Sequence, residues 1–182
     1  MSEAAIRALT DRAEIANVLA LYTHALDRRR FDLLDRVFHD DAVIRFGPID
    51  GPWRDFADHA RRLLGGIGAT HHQIGNQLVT LDGDIAHSET YLTAYHLVPV
   101  TTPTDHSLPG RDHPYSVTIG LRYVDRFERR AGMWRIALRQ GLYDWRSDQP
   151  VEDGGLSERP AAWRGGWGDD DPSLAVVAAM YC

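Results

Sequence analysis

Cysteine is nearly absent from the chain of 182 residues; the only one is Cys182, the last residue. A single cysteine supports neither an internal disulfide framework nor a thiolate-rich metal site. Long apolar runs are missing too, so no segment is expected to cross a membrane as a helix. The opening residues MSEAAIRALTDRAEI hold no apolar core of a secretory signal, and the expected location is the cytoplasm. Basic excess is also lacking. The formal net charge is -6, which leaves nothing to neutralise phosphates, so nucleic acid is not an expected partner. Arg28-Arg29-Arg30 and Arg61-Arg62 have acids around them and read as solvated surface. No glycine-rich dinucleotide fingerprint, Walker-type loop or serine elbow is present. The 9 histidines never fall at a metal-ligand spacing on one element. No metal or other cofactor is therefore expected.

What is present divides into two periods. Between Asp11 and Leu26, the residues Ile15, Val18, Leu19, Tyr22, Ala25 and Leu26 recur at helical steps, with Asp11 and Glu14 resembling a capping box. Asp32 can cap a short second helix carrying Leu33, Leu34, Val37 and Phe38. A short strand is expected from Ala42 to Phe46, and Gly47 to Pro52 has the composition of a loop. Phe56, Ala60, Leu63 and Leu64 mark a third helix, ended by Gly65-Gly66-Ile67-Gly68. From Thr70 onward the period becomes two. Strands are expected over 70–81 and 85–98, joined by Asp82-Gly83-Asp84, and over 115–129, followed by a last strand through Trp134, Ile136 and Leu138. Pro99 to Pro114 reads as a loop. Helices first and long strands second define an α+β domain, with helices packed on one face of a curved antiparallel sheet. The domain is expected to span 1–145. Residues 146–182, with an apolar run from Leu174 to Tyr181, read as an extended tail that packs on its own or a neighbouring subunit.

Two residues stand out chemically. Asp27 follows the apolar stripe of the first helix, where the helix dipole prefers a cation. Taken alone, it can cap a loop or pair with an arginine. His71 and His72 open the first long strand, and alternation lets only one face inward. The even positions His72, Ile74, Asn76 and Leu78 are the more apolar set, which turns His72 toward the interior and His71 toward solvent. A buried histidine can carry a proton near neutral pH, or can be a core residue satisfied by a carbonyl. His96 on the next strand shares a face with Leu92, Ala94 and Val98. Tyr22 lies on the stripe of the first helix, about 140° around from Asp27. His24 and His39 read as surface residues.

The order and spacing of several segments resemble the SnoaL-like branch of the NTF2-like superfamily. They are Tyr22 and Asp27 on the first helix, Leu34 to Ala42, Thr70-His71-His72-Gln73-Ile74-Gly75-Asn76, Leu81 to Ala86, Gly120 to Arg130 and Met133 to Ile136. That branch includes scytalone dehydratase, bile acid 7α-dehydratase, hexachlorocyclohexane dehydrochlorinase and polyketide cyclases. The resemblance covers roughly residues 8–145. It implies a cone-shaped α+β barrel with a deep pocket and an Asp–His pair that removes a proton from substrate. Asp27 matches the aspartate, His72 the histidine, Asn76 the asparagine four residues on, Tyr22 a tyrosine five residues before the aspartate, and His96 a second histidine. Apolar and aromatic side chains are expected to line the site, with Asn76, Tyr95, Tyr123 and Trp145 as substrate contacts, and the resemblance implies a dimer or trimer.

The expected activity is that of a cofactor-independent lyase, acting by dehydration or retro-aldol elimination on a hydrophobic ring-bearing molecule. An isomerase or cyclase on a polyketide or steroid shares the proton abstraction but lacks the leaving group. A non-catalytic binding or assembly module is the third alternative. It would leave Asp27 and His72 beyond hydrogen-bond reach.

Overall fold

The computed structural model describes residues 1–100, 108–151 and 158–177. Helix α1 spans Glu3–Asp27 and starts well before Asp11. The Ser2 hydroxyl caps it by accepting the Ala5 amide at 3.3 Å. Its first turns expose Ile6 and Leu9, so they carry no stripe by which periodicity could detect them. Asp11 is accordingly no cap. It lies buried in mid-helix and accepts hydrogen bonds from the Trp134 indole at 3.0 Å and from the Arg129 guanidinium. A 3-10 helix, Phe31–Arg36, follows with no side-chain cap.

Six strands form one sheet: β1 Phe38–Phe46, β2 Ile49–Pro52, β3 Thr70–Asp82, β4 Ile85–Val98, β5 Tyr115–Arg130 and β6 Met133–Pro150. Helix α2, Trp53–Gly65, connects β2 to β3. The sheet order is β2-β1-β6-β5-β4-β3. All neighbours are antiparallel except β1 and β6, which run parallel. The α+β layering is as expected. The sheet, however, is mixed rather than wholly antiparallel, and it stays open instead of closing into a barrel, with β2 and β3 as its edges. The segment expected to be a loop contains β2, paired with β1 across a turn at Gly47-Pro48. Proline is tolerated at its end because an edge strand leaves N–H groups unpaired.

The helices cover one face. α1 lies against β3 and β6, and α2 against β1 and β2. Ile15, Leu19, Tyr22 and Leu26 of α1 are buried together with Phe127 and Ile136 of the sheet. Each such side chain contributes about 1.5–3 kcal/mol by leaving water. The even-numbered alternation of β4 places Leu92, Ala94, His96 and Val98 inward. In β3 the alternation breaks. A bulge between Ile74 and Gln77 shifts the register, so Gln77, Val79 and Leu81 turn inward while Leu78 is 69% exposed.

Two further expectations change. β6 runs through Trp145 to Pro150. His39 is buried, its Nε2 lying 2.9 Å from the Glu128 carbonyl. The described part of the tail ends in a short helix α3, Leu174–Val177, and folds back onto its own α1 through Arg28. Part of the 99–114 loop, part of the apolar run at 174–181, and Cys182 lie outside the described residues. Among those described, no helix is long and apolar enough to cross a membrane.

Replacing Asp11 by Ala would strand a buried indole N–H and take one of two carboxylates from the Arg129 guanidinium, which keeps Asp84. The expected loss is about 2–3 kcal/mol of unfolding free energy in a denaturant titration.

Candidate active site

The last turn of α1 and the first residues of β3 meet at Asp27 and His72. The Asp27 carboxylate accepts the His72 ring Nδ1–H at 2.7 Å and the His72 backbone N–H at 2.8 Å. Both side chains are nearly buried, at 7% exposure for His72 and 11% for Asp27. Burial works to raise the Asp27 pKa. The hydrogen bonds and charge from His72, helped by Thr70, outweigh that and hold the carboxyl below its ordinary value. A carboxylate on Nδ1 assigns the ring proton to that nitrogen, which leaves Nε2 basic.

His72 lines a cavity enclosed mainly by apolar groups, among them Leu26, Phe56, Leu64, Ala94, Ile119 and Leu121. Tyr22, Tyr123 and His96 line it too, so four of the expected side chains gather around it or just behind it, with Asp27 as the fifth. Asp27 stands behind His72 rather than in the wall. His96 sits edge-on to His72, ring centroids 5.2 Å apart at 85°. Burial first, then the charge of His72, push its pKa down to about 3. It is therefore a neutral imidazole, and its buried Nδ1 has no hydrogen-bond partner among the described residues.

The other expected contacts lie elsewhere. Asn76 falls within the β3 bulge and is exposed, because the extra residue reverses the parity that placed it with His72. Tyr95 is on the outer face of β4, opposite Ala94 and His96. Trp145 is 52% exposed and lies across Gly120. It lines a separate, open depression with Pro48, Tyr143 and Arg146 beside the cavity mouth.

Several site residues escaped the sequence reasoning. His59 of α2 reaches the cavity; it is three residues after Phe56 on the same helical stripe, and that spacing could have revealed it. Phe46 packs its ring against Gly141, where a Cβ would come within 2.1 Å, and stacks on Tyr143. Behind the tyrosines lies a fully buried ion pair. Arg139 donates twice to Asp125, at 2.8 Å each, and both are 0% exposed. The guanidinium lies 4.1 Å from the Tyr22 ring and 4.0 Å from the Tyr123 ring, in the corner between these two perpendicular rings. An arginine on a strand of alternating pattern carries no sign that it will be buried, so only the fold reveals it. Burial pushes both phenols' pKa up and Arg139 works against the shift, so both remain protonated donors. The Tyr22 hydroxyl makes no well-formed hydrogen bond to any described residue. The arginines at 28–30 are not solvated surface. Arg28 pairs with Asp171 at 3.3 Å, and Arg29 packs on Trp167.

Among the described residues no three His, Cys, Asp or Glu side chains converge on a point that would hold a metal ion.

Helices on one side of an open sheet, with a cavity between them, define an α+β pocket protein of the NTF2-like kind. Residues 7–140 match the SnoaL-like domain, and the chain belongs to that family. An uncharacterized protein of Mycobacterium tuberculosis strain H37Rv is 35% identical over 134 residues, which cover 72% of this chain and 84% of that one. A crystal structure from Kribbella flavida is similar at 29% identity and a TM-score of 0.65, covering 77% of this chain and 95% of that one. The hexachlorocyclohexane dehydrochlorinase LinA type 2 shares the fold with a TM-score of 0.68 at 18% identity, covering 83% of this chain and 99% of that one.

Two outcomes are expected. Asp125→Ala would leave the Arg139 charge buried and uncompensated, at a cost of about 3–5 kcal/mol in urea unfolding. In the native state His96 stays neutral down to about pH 3, whereas an unfolded histidine binds a proton below about pH 6.5. The unfolded chain then holds more protons, so stability falls as pH drops from about 6.5 toward 3. His96→Gln should make that decline shallower in urea titrations run across the window.

Proposed function

We propose that this protein is a cofactor-independent lyase whose base is His72, acting by dehydration or retro-aldol elimination on a hydrophobic ring-bearing small molecule. The observation that carries this is the hydrogen-bonded Asp27–His72 pair at 2.7 Å with the His72 ring in the wall of an apolar cavity. A binding or assembly module has no need for a histidine whose tautomer is set by a buried carboxylate. Membership of the SnoaL-like family and the shared fold of a dehydrochlorinase support the same direction.

In the proposed dehydration His72 Nε2 takes a proton from carbon next to a carbonyl or activated ring; in a retro-aldol cleavage it takes the β-hydroxyl proton, and the carbon–carbon bond breaks as the new carbonyl forms. Asp27 stabilises the imidazolium that forms. The released electron pair becomes the new double bond as the bond to the leaving group breaks. Tyr22, a protonated phenol with hydrogen-bonding capacity to spare, donates to the leaving or carbonyl oxygen. Arg139 behind the two tyrosine rings favours negative charge developing on that oxygen. Neutral His96, whose ring stands edge-on to His72 in the cavity wall, hydrogen-bonds the bound molecule. The apolar wall excludes water and raises the worth of each of these contacts.

A panel of ring-bearing hydroxy-carbonyl compounds, followed by product mass, tests the assignment. Loss of water or formaldehyde supports a lyase, and turnover without mass change makes it an isomerase or cyclase. His72→Ala should lower turnover about 10²–10⁴-fold with the far-UV spectrum unchanged, and Asp27→Asn should follow it. Near-normal turnover in His72→Ala would sink the mechanism.

A further inference from the structure

The turn after Asp27 has an unusual composition for its geometry. The Arg29 amide bonds to the Leu26 carbonyl and the Arg30 amide to the Ala25 carbonyl, the paired contacts of a Schellman helix end. The residue at its left-handed position is Arg29, with φ of 55°. Glycine is the usual occupant, since a Cβ is unfavourable there. A non-glycine residue held in that region points to a side chain with work to do.

The Arg29 guanidinium spans a gap. Its Nη2 donates to the Ile67 carbonyl at 2.6 Å and to the Gly68 carbonyl at 3.4 Å. That loop leads directly into β3, and it is zipped to β4 by Gly68 N–H to Leu97 O and Leu97 N–H to Ala69 O. The Trp167 ring covers the guanidinium at 4.0 Å. Trp167 is itself anchored nearby. The Gly168 amide donates to the Arg28 carbonyl at 2.7 Å, Arg28 pairs with Asp171, and Asp171 accepts the Gly166 and Ser173 amides. Three segments distant in sequence thus converge within two residues of Asp27 and a few residues ahead of His72.

We infer that Arg29, covered by Trp167 of a tail that Asp171 anchors to Arg28, is a positioning residue that fixes the α1 end against the loop before β3, so that the ring and amide of His72 meet the two oxygens of Asp27. Its catalytic meaning rests on the lyase reading above; its structural content does not. The tail members of the clamp, Trp167 and Asp171, fall outside the segment that matches the family, so the tail supplies part of the support for the site.

The test is amide exchange and imidazole NMR on the full, ligand-free chain. Arg29→Gly relieves the left-handed strain, so a purely local helix-end role predicts a thermal midpoint at or above wild type with an unchanged site. The clamp predicts that midpoint together with about tenfold faster exchange of the His72 amide and broadening of the His72 Nδ1–H signal. Trp167→Ala and Asp171→Asn should move the same two signals less, about threefold in exchange, and Arg29→Lys should restore part of the protection. Wild-type His72 exchange and an unshifted Nδ1–H in Arg29→Gly would overturn the inference. So would a uniform rise in exchange across α1 and β3 that tracks a lower midpoint. Neither readout needs turnover, so an inactive panel would count against the lyase and not against the clamp.

Discussion

Both oxygens of the Asp27 carboxylate are taken by one residue, the backbone amide and ring of His72. A buried carboxylate is tolerable only when hydrogen-bonded, and at the end of α1 it also faces the unfavourable end of the helix dipole. The two His72 bonds answer both costs. They also join α1 to the edge strand β3, which no β-strand among the described residues borders on its outer side. The rest of the cavity is arranged around that join. α1 brings Tyr22 to the wall, and the pairing of β3 with β4 sets His96 beside His72.

A second polar centre balances the first. Arg139 and Asp125 neutralise each other against the Tyr22 and Tyr123 rings, so a buried ion pair backs two residues of the cavity wall. A buried pair of this kind adds little net stability against an apolar substitute. Its effect falls on the two phenols, where Arg139 works against the rise in pKa that burial causes. The cavity wall thus carries an imidazole hydrogen-bonded to Asp27 and two phenols packed on the Arg139–Asp125 ion pair.

Much of this was readable in residue order. The α1 stripe from Ile15 to Leu26, the stripe of α2, the Asp82-Gly83-Asp84 turn and the alternation of β4 and β5 correspond to observed elements because each is a local pattern of burial. Asp27, His72, Tyr22 and His96 were legible through resemblance and parity together. The misses share a cause. Asn76 was assigned by parity carried past a bulge, and nothing in Ile74-Gly75-Asn76-Gln77 states that the count of residues will slip by one. β2 hid within glycine and proline because its strand character comes from pairing with β1. Asp11 looked like a cap because its partners, Arg129 and Trp134, lie far along the chain.

By itself, then, the sequence determined which residues alternate, which face of each helix is apolar, and which few polar residues sit on those faces, since these depend on spacing along the chain. Only the tertiary structure decided that Asp27 stands behind His72 and not beside it in the cavity, that Arg139 is buried between two tyrosines, and that Arg29 reaches a loop and the tail at once. The partners in each of these contacts are tens of residues apart. Their meeting is set by the order of strands in the sheet and by the slip of a bulge, neither of which leaves a local pattern.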